Sequence, residues 1–167
     1  MGERVTFTAN GSATSGYLAR PEKPGPGVAG KLMMSLRVDV AARDLAAAIN
    51  YLTALPGVTG PSVGTIGFCM GGAGVVFYGI HPNIKPDLPS LRAPVLGIFA
   101  AQDGMVIPEV VADLDRRLTE LGKPHAFHAY PDTRHAFFNE DRADVYAPAA
   151  AAHAWAKTLA FLRRELH

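Results

Sequence analysis

From Ala93 to the end of the chain, strand and helix signals alternate, with turn or helix-start residues at each junction. Ala93-Pro94 precedes Val95-Leu96-Gly97-Ile98-Phe99-Ala100, a continuous apolar run of the kind a parallel strand covered on both faces requires. Pro108 stands where a first helical residue belongs. The stripe Val111, Leu114, Leu118 and Leu121 follows it, and Gly122 ends it. Ala126 to Tyr130 returns as a strand, and Pro148 opens a final helix whose Trp155, Leu159, Leu162 and Leu166 are expected to form the buried face. Strands that recur after intervening helices lie parallel with right-handed crossovers, so the pattern predicts an α/β protein built on a mostly parallel sheet.

The first half fits the same architecture. Val5 to Ala9 and Thr14 to Arg20 are strand-like runs around the turn dipeptide Asn10-Gly11, which predicts an opening hairpin. Pro21 to Gly27 is rich in proline and glycine and reads as a linker. From Leu36, apolar residues at Val38, Ala41, Leu45, Ile49, Leu52 and Leu55 keep helical spacing until Pro56-Gly57 stops them. Val63 to Phe68 and Val75 to Ile80 are short apolar runs of strand length.

At 167 residues the expectation is one domain, 1–167, with a single core. A formal charge of +1, with no block of like charges, argues against nucleic acid and anionic membrane surfaces and leaves a small molecule as the expected partner. No apolar run approaches the ~20 residues of a membrane span, and the start lacks the pattern of a signal peptide. The expected location is therefore the cytoplasm. A single cysteine excludes a disulfide within the chain.

That cysteine lies in Gly67-Phe68-Cys69-Met70-Gly71, a G-x-C-x-G spacing in which a strand turns sharply and exposes one side chain. Cys69, Asp103 and His135 each follow a predicted strand, and such loops gather along one edge of a parallel sheet. Their order, nucleophile then acid then histidine, is that of α/β-hydrolases. A thiol needs an imidazole to take its proton, and the imidazole needs a carboxylate to orient it and stabilise its charge. Cys69, His135 and Asp103 would fill these roles, with the Met70 amide as oxyanion donor. Blander readings exist for each residue singly: Cys69 as a small buried side chain, Asp103 as the cap of a turn with Gly104, His135 as a solvated loop residue. Tyr78, Phe137 and Phe138 are candidates for the substrate wall, with core packing the open alternative. His125 and His128, three apart on a strand, point to opposite faces and make no metal pair. His81, His153 and His167 read as surface residues. No metal or cofactor is expected.

The runs GFCMGG, APVLGIFAAQDGMV, FHAYPDTRHAFFN and AAHAWAKTLAFLRREL resemble the dienelactone hydrolase family, cysteine-dependent α/β-hydrolases acting on lactones and small esters. AGKLMMSLRVDVAARDLAAAINYLTALPGV is similar to the segment before that family's nucleophile strand, and VTFTANGSATSGYLARPE to its opening hairpin. The resemblance implies a three-layer α/β-hydrolase-like fold with an N-terminal hairpin and a thioester intermediate at Cys69. Two departures stand beside it. Between GPGV and AGKLMM the family carries two further strands with their helices, the first supplying a second oxyanion donor. Between GFCMGG and VVFYG it carries the nucleophile helix, and here only Ala73 and Gly74 fill that gap. Loss of one oxyanion donor typically lowers turnover about a hundred- to a thousand-fold. Asn139 replaces the arginine found four residues after the histidine in the family's lactone-cleaving type member. The readings are thus an ester or lactone hydrolase, a catalytically impaired and shortened derivative serving as a binding or self-associating module through open sheet edges, and a redox-sensing thiol.

Overall fold

The computed structural model describes residues 2–9, 12–19, 38–54, 62–69, 74–79 and 86–166. The chain divides into two compact units, Met1–Ala46 and Ala47–His167. In the first, β1 (Gly2–Ala9) and β2 (Ser12–Ala19) pair antiparallel, from Gly2 opposite Ala19 to Ala9 opposite Ser12. Residues 10 and 11 alone separate them, so the hairpin forms around the expected dipeptide. Helix α1 (Val38–Thr53) crosses the division between the units. Its first turn holds Asp39, 3.3 Å from the Arg43 guanidinium one turn on. At its end the Thr53 hydroxyl donates back to the carbonyls of Ile49 and Asn50.

The second unit contains a parallel sheet of β3 (Ile66–Phe68), β4 (Val75–Phe77), β5 (Val95–Ala100) and β6 (His125–Tyr130), in the spatial order of their sequence. Side chains alternate between faces along each strand. Val75 pairs with Leu96 and Phe77 with Ile98, and these residues, with Ala100 and Tyr130, form one face of the core. Helix α3 (Pro148–Glu165) covers that face through Ala154 and Phe161. Phe99 and Phe127 lie on the other face, their rings 5.2 Å apart. Helix α2 (Pro108–Glu120) lies against them. Gly97 makes room for both rings, since a Cβ there would come within 2.5 Å of Phe99 and 2.6 Å of Phe127. This is the mostly parallel α/β class with an N-terminal hairpin that the sequence predicts.

Two expectations shift. The buried residues of α3 are Ala151, Ala154, Thr158 and Phe161, whereas Trp155 and Leu166 are each 40% exposed. Small side chains let the helix approach the sheet closely, and Thr158 satisfies its hydroxyl on the Ala154 carbonyl at 2.9 Å. Leu162 and Leu166 instead lie over Gly64, where a Cβ would come within 2.8 and 2.9 Å of them. The second shift is length: β3 and β4 have three residues each, shorter than the predicted runs. Residues 69–74 alone separate these parallel strands, where a crossover of a dozen or more is usual. Short strands make this feasible, because three residues span only about 10 Å and leave little to retrace. At the far end of this connection Gly74 has φ 84° and lies against Thr65, whose carbonyl accepts the Val75 N–H at 2.8 Å.

Candidate active site

The carboxyl ends of the four parallel strands present, in order, Cys69, Tyr78, the Asp103 loop and the His135 loop. All lie within the second compact unit.

Asp103 is the most firmly held of them. Its side chain has no exposed surface. One carboxylate oxygen accepts the backbone N–H groups of Met105 and Val106 at 2.7 and 2.9 Å. The other pairs with His135 Nδ1 at 2.7 Å. Turn capping and histidine orientation are therefore not rivals at this residue, because each uses a separate oxygen. An imidazole that donates its Nδ1 proton to a carboxylate leaves Nε2 as an acceptor facing outward.

The His135 loop is fixed from both sides. The Thr133 hydroxyl donates to the Tyr130 carbonyl at 2.8 Å, and the Gln102 N–H donates to the Thr133 carbonyl at 2.9 Å. The Gln102 amide also reaches Asp132 at 3.3 Å, so the loops after β5 and β6 are joined before Asp103 and His135 meet. Asp132 and Ala136 take left-handed φ values of 56° and 67°, backbone that side-chain-bearing residues adopt only under constraint. Phe137, fully buried against Tyr78 and Tyr130, anchors the far side.

Cys69 follows β3 directly and has φ 53°, the left-handed turn that a nucleophile elbow requires. It is half-buried and packs against the core. Its carbonyl presses on Gly79, where a Cβ would come within 2.4 Å. Among the described residues no hydrogen bond joins the Cys69 thiol to His135. Tyr78 neighbours both. Its ring centroid is 4.9 Å from that of His135, and its phenol is pushed up to about 12, first by burial and then by the charge of Cys69.

Beside this rim opens a cavity of about 570 Å³ walled by Phe68, Tyr78, Phe138, Trp155, Glu140 and Asp141, among others. Cys69, Asp103 and His135 are not on its wall; Phe68, next to Cys69, and Tyr78, against His135, are. Phe137, a sequence candidate for the substrate wall, has no exposed surface and belongs to the core, and Phe138 stands at the wall instead. The reason is alternation within the loop, which turns one ring inward against Tyr130 and the next outward toward Trp155, 6.1 Å away. Trp155 is a wall residue that sequence reasoning placed in the core. Large apolar residues on a helix signal burial, and nothing in the sequence marks which of them face a hollow.

Met70, His81 and His167 lie outside the described residues. His125 and His128 occupy opposite faces, as the strand period requires. His125 meets Asp115 of α2 at 3.1 Å, whereas His128 lies near Lys157 and His153 of α3. Among the described residues no group of three or more His, Cys, Asp or Glu could hold a metal ion, and no helix is long and apolar enough to cross a membrane.

The sequence profile described as the dienelactone hydrolase family matches residues 21–166. The chain belongs to the dienelactone hydrolase family. Within it, Protein usf of Aquifex pyrophilus is 27% identical over 230 aligned residues, which take in 99% of this chain and 100% of that protein. The alignment exceeds the 167 residues of this chain, so the relative carries residues that this chain lacks. A dienelactone hydrolase-like promiscuous phosphotriesterase from metagenomic libraries has the same fold, with a TM-score of 0.72 at 20% identity, over 92% of this chain and 74% of the other. A structure from Klebsiella pneumoniae, provisionally titled a dienelactone hydrolase, matches with a TM-score of 0.50 at 25% identity over 56% of this chain. The match covers 48% of that protein, about half its length. The family is one of hydrolases with the α/β-hydrolase fold.

Proposed function

We propose that this dienelactone hydrolase relative cleaves small esters or lactones through Cys69, His135 and Asp103, without a cofactor. The observation that carries the reading is the 2.7 Å pairing of His135 Nδ1 with a fully buried Asp103. A carboxylate held by two backbone N–H groups and aimed at an imidazole is built to hold that ring in one tautomer. In the proposed reaction His135 Nε2 takes the thiol proton and the sulfur attacks the ester carbonyl. The proton then passes to the leaving oxygen, and water hydrolyses the resulting thioester. The backbone N–H of Met70, the residue after the nucleophile, would stabilise the oxyanion. Among the described residues the cavity wall carries no basic side chain but does carry Asn139, Glu140 and Asp141, which favours uncharged esters over carboxylate-bearing ones.

The test is hydrolysis of p-nitrophenyl acetate by the native chain and by Cys69→Ala. Turnover that vanishes in the variant supports the reading; equal rates in both would sink it.

A second reading rests on a different observation. Among the described residues β3 is an edge strand, and its Ile66 and Phe68 are 37% and 41% exposed. An open apolar edge invites pairing with another strand. On this reading the chain is a catalytically impaired, shortened hydrolase-fold protein that self-associates there. Light scattering checks it: a dimer that dissociates on Phe68→Lys, in a chain without esterase activity, is its expected signature.

A further inference from the structure

Among the described residues the Tyr78 hydroxyl has no hydrogen-bond partner, although the residue is only 4% exposed and borders the cavity. A buried hydroxyl left unpaired is destabilising, and such a group in a native fold calls for an explanation. Its backbone is constrained as well. Tyr78 has φ 41°, unusual for a residue with a bulky side chain, and its N–H is fixed to the Ile98 carbonyl at 2.6 Å. The chain thus holds this ring in a strained place, against His135 and within the field of Cys69.

Strand order gives that place a chemical meaning. β4 lies between β3, which Cys69 follows, and β5 and β6, whose loops carry Asp103 and His135. An ester bound for attack by the Cys69 sulfur has two oxygens to direct. On the triad reading the carbonyl oxygen is assigned to the N–H of Met70. The leaving oxygen must go where His135 can protonate it, the side on which Tyr78 stands.

We propose that Tyr78 is a catalytic residue whose hydroxyl donates a hydrogen bond to the leaving oxygen. The inference rests on the Cys69–His135–Asp103 reading above and extends it. The sulfur–carbon bond forms as the thiol proton moves to His135. The carbon–oxygen bond of the tetrahedral intermediate then breaks, its electron pair stays on the leaving oxygen, and the His135 proton follows it there. Tyr78 keeps its own proton throughout and lowers the barrier by sharing it while the oxygen is most negative. Its raised pKa keeps the phenol protonated across the working range, as a donor must be.

The test is a leaving-group series of acetate esters, nitrophenyl, phenyl and methyl, compared by kcat/KM, which reports steps through acyl transfer to sulfur. Good leaving groups need little help, and alkoxides need much. Tyr78→Phe is expected to lower kcat/KM for methyl acetate by about ten- to a hundredfold, and for the nitrophenyl ester by about threefold or less. The dependence of rate on leaving-group basicity becomes steeper. A uniform loss across the series would assign Tyr78 a structural role and overturn the inference, as would equal rates for both proteins. If the native chain itself lacks Cys69-dependent turnover, the triad reading fails and takes this inference with it. Native turnover with an unchanged slope in Tyr78→Phe defeats the inference alone.

Discussion

At Asp103 two demands meet in one carboxylate, and a substitution that keeps its shape separates them. Asp103→Asn can still present an oxygen to Met105 and Val106, but its amide nitrogen then faces His135 Nδ1. The imidazole is expected to switch tautomer and lose its outward acceptor. Ester turnover should fall by about a thousand- to ten-thousand-fold with the melting temperature little changed. Unfolding of the variant at room temperature would refute this division of labour. Tyr78 makes the opposite trade. Its hydroxyl, without a partner among the described residues, weakens the fold, so Tyr78→Phe should raise stability in urea by about 1 kcal/mol while lowering alkyl-ester turnover. The pH dependence has a definite sign. A folded-state pKa raised from 10.0 to about 12 means the contribution of the neutral phenol is complete below pH 10 and is lost as pH rises toward 12. Alkaline unfolding followed by circular dichroism should therefore be less steep in Tyr78→Phe.

Among the elements, those with chemical punctuation were legible in sequence and those defined by their neighbours were not. Pro108 and Pro148 begin α2 and α3, and the apolar run Val95 to Ala100 is β5 to the residue. Proline at a first helical turn acts locally, so no partner is needed to read it. The buried face of α3 depends on how closely the sheet approaches, and a stripe of large residues misplaces it onto Trp155. The positions of Cys69, Asp103 and His135 at strand ends were legible for the same local reason, whereas the outward turn of Phe138 and inward turn of Phe137 depend on a loop held by distant contacts. Glycines in β5 and after β4 give two contrasting tests. Gly97→Ala places a methyl among the Phe99 and Phe127 rings and should destabilise by about 1–3 kcal/mol without selective loss of activity. Gly79→Ala meets the Cys69 carbonyl, which is backbone, and should displace the elbow. An activity loss near a hundredfold is expected there. Equal kcat/KM in Gly79→Ala and the native chain would show that the elbow tolerates the shift.

For the molecule as a whole, acid stability should reflect His128, whose pKa is lowered from 6.5 by burial, then by Lys157 and His153. A folded pKa below the unfolded one means that its contribution is complete above pH 6.5 and is lost as pH falls below it. Lys157→Met removes the ammonium near His128 and should make the urea midpoint less sensitive to acid; an identical pH profile would exclude His128 as the cause. The sheet itself, with strands in sequential order, has a consequence for descent. Every group assigned to the chemistry is carried by one uninterrupted stretch between Ile66 and Phe138, so relatives can gain or shed material ahead of it without separating sulfur from imidazole. A lineage built this way can vary its length at one end while the three side chains keep their places on a single rim, although whatever oxyanion donors the variable end supplied go with it.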